Sequence, residues 1–325
     1  LQELQPLLAR RIRGQPEALR TIAARLQAAQ AGTNDPREPR GVFLLVGPSG
    51  TGKTETALAV AEQLFGGEQF AISINMTEFQ EKHTISRLIG SPPGYVGFRE
   101  GGVLTEAVRQ RPYSVVLLDE IEKADLNVLN LFHQVFDKGV LADGEGRAID
   151  FRNTVLFLTS NLASDLTMKL AQEAAQPLSA SEIARHIRPV LQQHLKPALL
   201  NRMTVVPYFP LSHEVLRDIV QMKLAQLAER LNDRYSVSLV VDDDVIDVLI
   251  RAATDDPEAG ARNVNHIIRE HLQPLVTGCI LNCLVNGRLP PALQVQRGTD
   301  ARFQVCASWE TPAAAAAVAD VAASV

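Results

Sequence analysis

The chain has 325 residues, 46% hydrophobic and 21% charged, a composition that suits one large globular domain and a smaller one. Its net charge of −5 speaks against sequence-independent nucleic-acid binding, which needs a basic surface. No apolar run approaches the ~20 residues of a membrane span, and three cysteines, an odd and sparse count, fit a reducing cytoplasm better than a disulfide framework.

Residues 2–30 predict helices interrupted at IRGQPEA, and AGTNDPREPRG (31–41) is a turn-rich linker. The apolar runs GVFLLVG (41–47), FAISINM (70–76), SVVLLDE (114–120), TVLFLTSN (154–161) and TVVPYF (204–209) predict five strands. Helical stretches lie between them, among them KTETALAVAEQLF (53–65), VLTEAVRQ (103–110) and NVLNLFHQVFDKG (127–139). Nearly continuous apolar strands alternating with helices specify an α/β fold, a parallel sheet sandwiched by helices. Such a sheet binds ligands at the carboxyl ends of its strands, and there the polar residues collect: after Val46, at Asp119 and Glu120, and at Asn161.

From about residue 210 the texture changes. A long helix (211–231) precedes candidate strands SVSLVV (236–241), ALQVQ (292–296) and RFQVCAS (302–308), a smaller mixed α/β domain. The expected division is 1–209 for the large nucleotide-binding domain, 210–308 for the small one, and 309–325 for a low-complexity, disordered tail, with a marginal terminal helix as the alternative. Cys279 and Cys283, four apart in an apolar helical stretch, read as buried small hydrophobes; no partner at ligand spacing supports a metal. The seven histidines form no ligand pattern, and no Ser-His-Asp set can be argued from order alone.

GPSGTGKT (47–54) matches G-x-x-x-x-G-K-[ST] between a predicted strand and a predicted helix, the context of a phosphate-binding loop. Gly47, Gly50 and Gly52 let the backbone curl so that successive N–H groups, those of Ser49 and Thr51 among them, face phosphate oxygens, and the helix N-terminus adds its positive end. Lys53 can reach the β- and γ-phosphates, and Thr54 can place a hydroxyl on Mg²⁺. VVLLDE (115–120) delivers Asp119 as a second Mg²⁺ ligand and Glu120 as the group that polarises an attacking water. Asn161 could hydrogen-bond that water or the γ-phosphate. Arg202 and Arg262 are candidates for spreading transition-state charge, because a planar permanent cation pairs with phosphate oxygens.

With these residues in hand, the chain resembles the second ATPase module of a Clp/Hsp100 AAA+ unfoldase over about residues 5–300. RIRGQPEAL resembles the family segment bordering the adenine, which implicates Ile12 and Arg13. GPSGTGKT, including Pro48, and LLDEIEKA match Walker A and Walker B. The resemblance puts Asn161 at sensor 1, Arg202 at the arginine finger, Arg262 at sensor 2 and Ile219 against the adenine. GSPPGYVG (90–97) matches the pore loop that grips substrate, here Gly94, Tyr95, Val96 and Gly97, and DGEGR (143–147) matches the second pore loop. The resemblance implies ATP with Mg²⁺, a homo-hexameric ring, a polypeptide threaded through it, and a bacterial cytoplasmic setting. A finger acting across subunits requires the ring.

The region 163–187 carries no Ile/Leu-Gly-Phe/Leu tripeptide, which disfavours a ClpP-type peptidase as partner. RMTVVPYFPL (202–211) resembles the ClpV (TssH) branch, which recycles contracted type VI secretion sheaths, so a sheath subunit is the expected polypeptide; ClpB-type disaggregation is the alternative. A slowly hydrolysing module that holds the ring together is a further one, and a nucleic-acid motor a weaker one given the acidic pI. Two dipeptides depart from the family pattern: Asp125-Leu126 replaces His-Pro after EKA, and Phe98-Arg99 follows GYVG.

Overall fold

A computed structural model describes residues 3–95, 101–173, 179–254, 260–298 and 303–309. It divides into two units, Leu1–Pro210 and Leu211–Val325. The first contains, in order, α1 (Leu4–Arg11), α2 (Pro16–Gln30), β1 (Gly41–Val46), α3 (Lys53–Phe65), β2 (Ala71–Asn75), α4 (Ile85–Ile89), α5 (Val103–Gln110), β3 (Val115–Asp119), α6 (Leu126–Lys138), β4 (Val140–Ala142), β5 (Ala148–Asp150), β6 (Val155–Ser160), α7 (Ser164–Glu173), α8 (Ala180–His194), α9 (Pro197–Leu200) and β7 (Thr204–Pro207).

The five expected strands form one parallel sheet of order β2-β3-β6-β1-β7. Period-two alternation divides its side chains between two cores. Leu44, Val46, Val116, Leu118, Leu156 and Leu158 face α5, α6 and α8 with Val108, Phe132 and Ile187. Phe43, Leu45, Val115, Leu117, Val155 and Phe157 face α1, α2 and α3 with Leu8, Ile22 and Val60. Both faces of the central strands β3, β6 and β1 are covered, so these need no polar positions until their ends, whereas the edge strand β2 exposes Ser73. Phe43 and Phe157 stack with centroids 5.1 Å apart; truncating either to Ala would cost about 3–5 kcal/mol.

Local chemistry sets the helix ends. Asp125, one of the two departures from the family pattern, is the N-cap of α6: its Oδ1 accepts from Asn127 N–H at 2.8 Å. Ser179 and Glu182 form a capping box on α8. The β4–β5 hairpin carries the 143–147 turn, and Gly144 N–H donates to the Ile89 carbonyl at 2.9 Å, tying that turn to the start of the GSPPG segment.

The second unit contains α10 (His213–Tyr235), β8 (Ser238–Val241), α11 (Asp243–Thr254), α12 (Ala261–Ile267), α13 (Gln273–Val285), β9 (Ala292–Arg297) and β10 (Phe303–Ser308). Its sheet is mixed, with β9 antiparallel to β10 and parallel to β8. Leu216, Val220, Leu249, Leu272, Leu293 and Val295 centre its own core. Cys279 and Cys283 are half-buried rather than buried, because the covered stripe of α13 is centred on Val276 and Ile280 and the cysteines flank it, while Leu281 and Leu284 are exposed. Among the described residues, no helix is long and apolar enough to cross a membrane. Residues 310–325, read as a disordered tail, lie outside the described residues.

Candidate functional site

The site begins where β1 ends. Gly47 has φ 153°, and a Cβ there would lie 2.3 Å from the Tyr208 carbonyl oxygen, so only glycine lets the loop pass β7. Gly52, with φ 100°, turns the chain into α3. Thr51 is buried, and its hydroxyl donates to the Pro48 carbonyl at 2.9 Å, closing the loop on itself. Tyr208, entirely buried just beyond β7, donates its hydroxyl to Thr56 Oγ1 of α3 at 2.7 Å, and burial holds its phenol well above the usual range.

Lys53 is only 8% exposed. Its Nζ donates to the Pro48 carbonyl at 2.7 Å, to the Gly47 carbonyl, and to Asn161 Oδ1 at 2.9 Å. A lysine this buried is held by acceptors that a phosphate could replace one for one. Asp119 ends β3, and Glu120 follows it in the left-handed region with φ 56°, a conformation that non-glycine residues adopt mainly under local constraint. Thr159 of β6 hydrogen-bonds both: Glu120 N–H donates to its Oγ1 at 3.0 Å, and its hydroxyl donates to Asp119 Oδ1. Glu122 Oε1 accepts from Asn161 N–H at 3.0 Å. The sheet order puts β6 between β1 and β3, so the Lys53, Asn161 and Asp119–Glu120 positions converge at one carboxyl edge.

Ile12 is buried, with Cγ2 3.4 Å from where a Gly52 Cβ would stand, while Arg13 is exposed. Gln15 was not singled out in the sequence, yet it is 1% exposed and joins three segments: its Nε2 donates to the Thr51 carbonyl at 3.3 Å and the Phe209 carbonyl at 2.8 Å, and its Oε1 accepts from Phe209 N–H at 3.0 Å. Arg11 donates to Glu55, Glu62 and Glu68, fastening α1 along α3. Gln15 and Glu122 lie inside segments matched to family motifs, and Thr159 stands near the end of a predicted strand, but each acquires its partner only through the fold.

Arg202 does not join the Lys53 cluster through its hydrogen bonds. It is exposed, pairs with Asp137 of α6, and donates to the Ala198 carbonyl at 2.8 Å. Ile219 is buried on α10, and Arg262 is exposed in the first turn of α12; both belong to the second unit. Tyr95 is 70% exposed, and a Cβ on Gly94, φ 90°, would meet nothing within 4 Å. Val96 and Gly97 lie outside the described residues.

The residues fit Mg²⁺ and a nucleoside triphosphate. Thr54 and Asp119 offer hard oxygen donors, and among the described residues no group of three or more His, Cys, Asp or Glu could hold a metal alone. An ion here would take its other ligands from phosphate and water, as Mg²⁺ does. The glycine-shaped loop at the N-terminus of the 13-residue α3 supplies N–H donors for phosphate.

The family model "AAA domain (Cdc48 subfamily)" matches residues 38–206, and "C-terminal, D2-small domain, of ClpB protein" matches 211–287. The chain is 50% identical over 279 residues to the chaperone protein ClpB of Yersinia enterocolitica, covering 86% of this chain and 31% of that protein. It is 46% identical over 281 residues to the AAA+ ATPase ClpV1 of Pseudomonas aeruginosa, with the same 86% and 31% covered. It is 45% identical over 282 residues to the ClpB of Meiothermus ruber, 86% of this chain and 32% of that one. It thus spans about a third of the length of the curated relatives it matches.

Proposed function

This chain belongs to the AAA domain family, and we propose that it is the ATP-hydrolysing second module of a Clp/Hsp100-type protein translocase working as a hexameric ring. The observation that carries the reading is the convergence of Lys53, Asn161, Asp119 and Glu120 at the carboxyl edge of the parallel sheet, with Lys53 bonded to Asn161 and Thr159 bonded to Asp119 and Glu120. Lys53, freed from its loop carbonyls, binds the β- and γ-phosphate oxygens. Asn161 orients the attacking water or the terminal phosphate, and Glu120 polarises that water. Thr54 and Asp119 would hold Mg²⁺, which neutralises charge on the phosphate oxygens when bound. Positioning and electrostatics supply most of the acceleration, as in other phosphoryl transfers. Arg202 acts on the nucleotide of the neighbouring subunit, having first left Asp137. Ile12, Arg13, Ile219 and Arg262 carry the nucleotide-binding roles that the family resemblance implies.

Tyr95 grips the threaded polypeptide through apolar and stacking contacts that ignore its sequence. The segment RMTVVPYFPL (202–211) favours a type VI secretion sheath subunit as that polypeptide. The second reading, disaggregation, is favoured by the match to the ClpB small-domain model and by the 50% identical relative named ClpB. In the assembled full-length protein, Glu120→Gln retains ATP binding and loses about 100-fold or more in turnover; normal turnover would overturn the role of Glu120. Tyr95→Ala leaves ATP hydrolysis intact and abolishes threading, read as release of a labelled unfolded polypeptide; undiminished threading would remove the loop from the mechanism. Extraction of contracted sheath subunits, set against rescue of heat-aggregated protein, separates the two substrates.

A further inference from the structure

We propose that Thr159 is a positioning residue that holds both acidic groups of the hydrolytic site, and this rests on the role of Glu120 given above. Thr159 lies on β6 and is 2% exposed. The parallel ladder between β3 and β6 runs from Val115↔Val155 to Leu118↔Leu158 and stops there. The next position on each strand is Asp119 and Thr159. Beyond the last backbone pair, the threonine hydroxyl takes over the lacing of the two strand ends.

A hydroxyl has one proton and two lone pairs, so its two partners here assign its direction. Glu120 N–H can only donate, and it donates to Thr159 Oγ1 at 3.0 Å. The proton of Oγ1 therefore goes to Asp119 Oδ1. One oxygen of Asp119 is thereby oriented by the protein, which leaves Oδ2 for a metal. The same hydroxyl pins the amide of Glu120, whose backbone stands at φ 56° and ψ 54°. A β-carbon disfavours that conformation, so the peptide needs a partner to stay there and aim its side chain. Glu122 adds a second lace between the same ends through Asn161 N–H, but it touches neither Asp119 nor the Glu120 amide.

The experiment uses the assembled full-length protein with Thr159→Val, Thr159→Ser and Thr159→Ala, and Glu120→Gln as a separate control. Thr159→Val keeps nucleotide affinity within about 2-fold and lowers kcat about 10- to 100-fold with little change in KM, because a small misplacement of the reacting groups is that costly. Its half-activating Mg²⁺ concentration rises, reporting the loosened Asp119. Thr159→Ser restores kcat. Ser and Ala lose the same methyl group and differ only in the hydroxyl, so their ratio stands even where the valine variant fails to fold: kcat well above Ala in Ser supports the assignment, and equal kcat overturns it. Wild-type kcat in Thr159→Val, with Glu120→Gln inactive, overturns it while leaving Glu120 in place. Normal turnover in Glu120→Gln removes the reading of Glu120 and this inference together.

Discussion

Lys53 and Arg202 are two cations assigned to one reaction, and the fold treats them in opposite ways. Lys53 is 8% exposed, and its ammonium donates to two carbonyls of its own loop and to Asn161. The Arg202 side chain is 37% exposed and engages Asp137 and the Ala198 carbonyl, on α6 and α9. The first group, on the proposed reading, serves the nucleotide of its own subunit, and its hydrogen bonds are made by folding. The second, on the proposed reading, serves a neighbour's nucleotide and stands on the surface, parked against a carboxylate that it must leave. An exposed ion pair holds such a residue by only about 0–1 kcal/mol, so a phosphate presented by an adjoining subunit can compete for it.

The largest expected effect breaks the surface half of that contrast. Arg202→Ala should lower turnover about 1,000-fold in the assembled ring, the scale on which arginine fingers act, while nucleotide affinity measured by fluorescent-nucleotide titration changes little. A comparable fall in affinity would instead make Arg202 an ordinary binding group. The buried half should break through stability. Gln15→Ala leaves Phe209 N–H and two carbonyls without their partner, so the melting midpoint should correspond to a loss of about 2–3 kcal/mol, and affinity should fall because Thr51 belongs to the phosphate loop. An unchanged melting curve would show that the Gln15 clamp contributes nothing net.

The smallest effect is electrostatic. Burial holds the His133 imidazolium below the usual histidine range, with help from the positive charges of Arg202 and Lys196. The folded state therefore binds fewer protons than the unfolded chain. This contribution is complete above the ordinary histidine value near 6.5 and is lost as pH falls through the lower folded value. Arg202→Ala removes one cause, so the His133 midpoint read by NMR titration should rise toward the ordinary value. A midpoint that stays or falls would mean that the Arg202 charge does not act on His133.

Much of the fold was legible. The strands expected at 114–120 and 154–161 are β3, Val115–Asp119, and β6, Val155–Ser160, because both are buried on two faces and bounded by polar residues. The glycine loop after β1 was legible because its glycines, lysine and threonine stand within eight consecutive residues. The β4–β5 hairpin was not, since its three-residue strands carry too little periodicity to register. The half-buried state of Cys279 and Cys283 was also missed, because an apolar helix does not announce which of its faces is covered.

The sequence by itself determined what local stereochemistry governs: where the chain must curl at glycine, which runs are strands, and that acids stand at the end of β3. Only the tertiary structure decided which groups those acids meet. Thr159 and Asp119 are 40 residues apart, and Gln15 and Phe209 are 194 apart. The physical reason is the strand order β2-β3-β6-β1-β7, which inserts β6 between the phosphate loop and the acids. A hydrogen bond between side chains so far apart in sequence exists only once that order has formed.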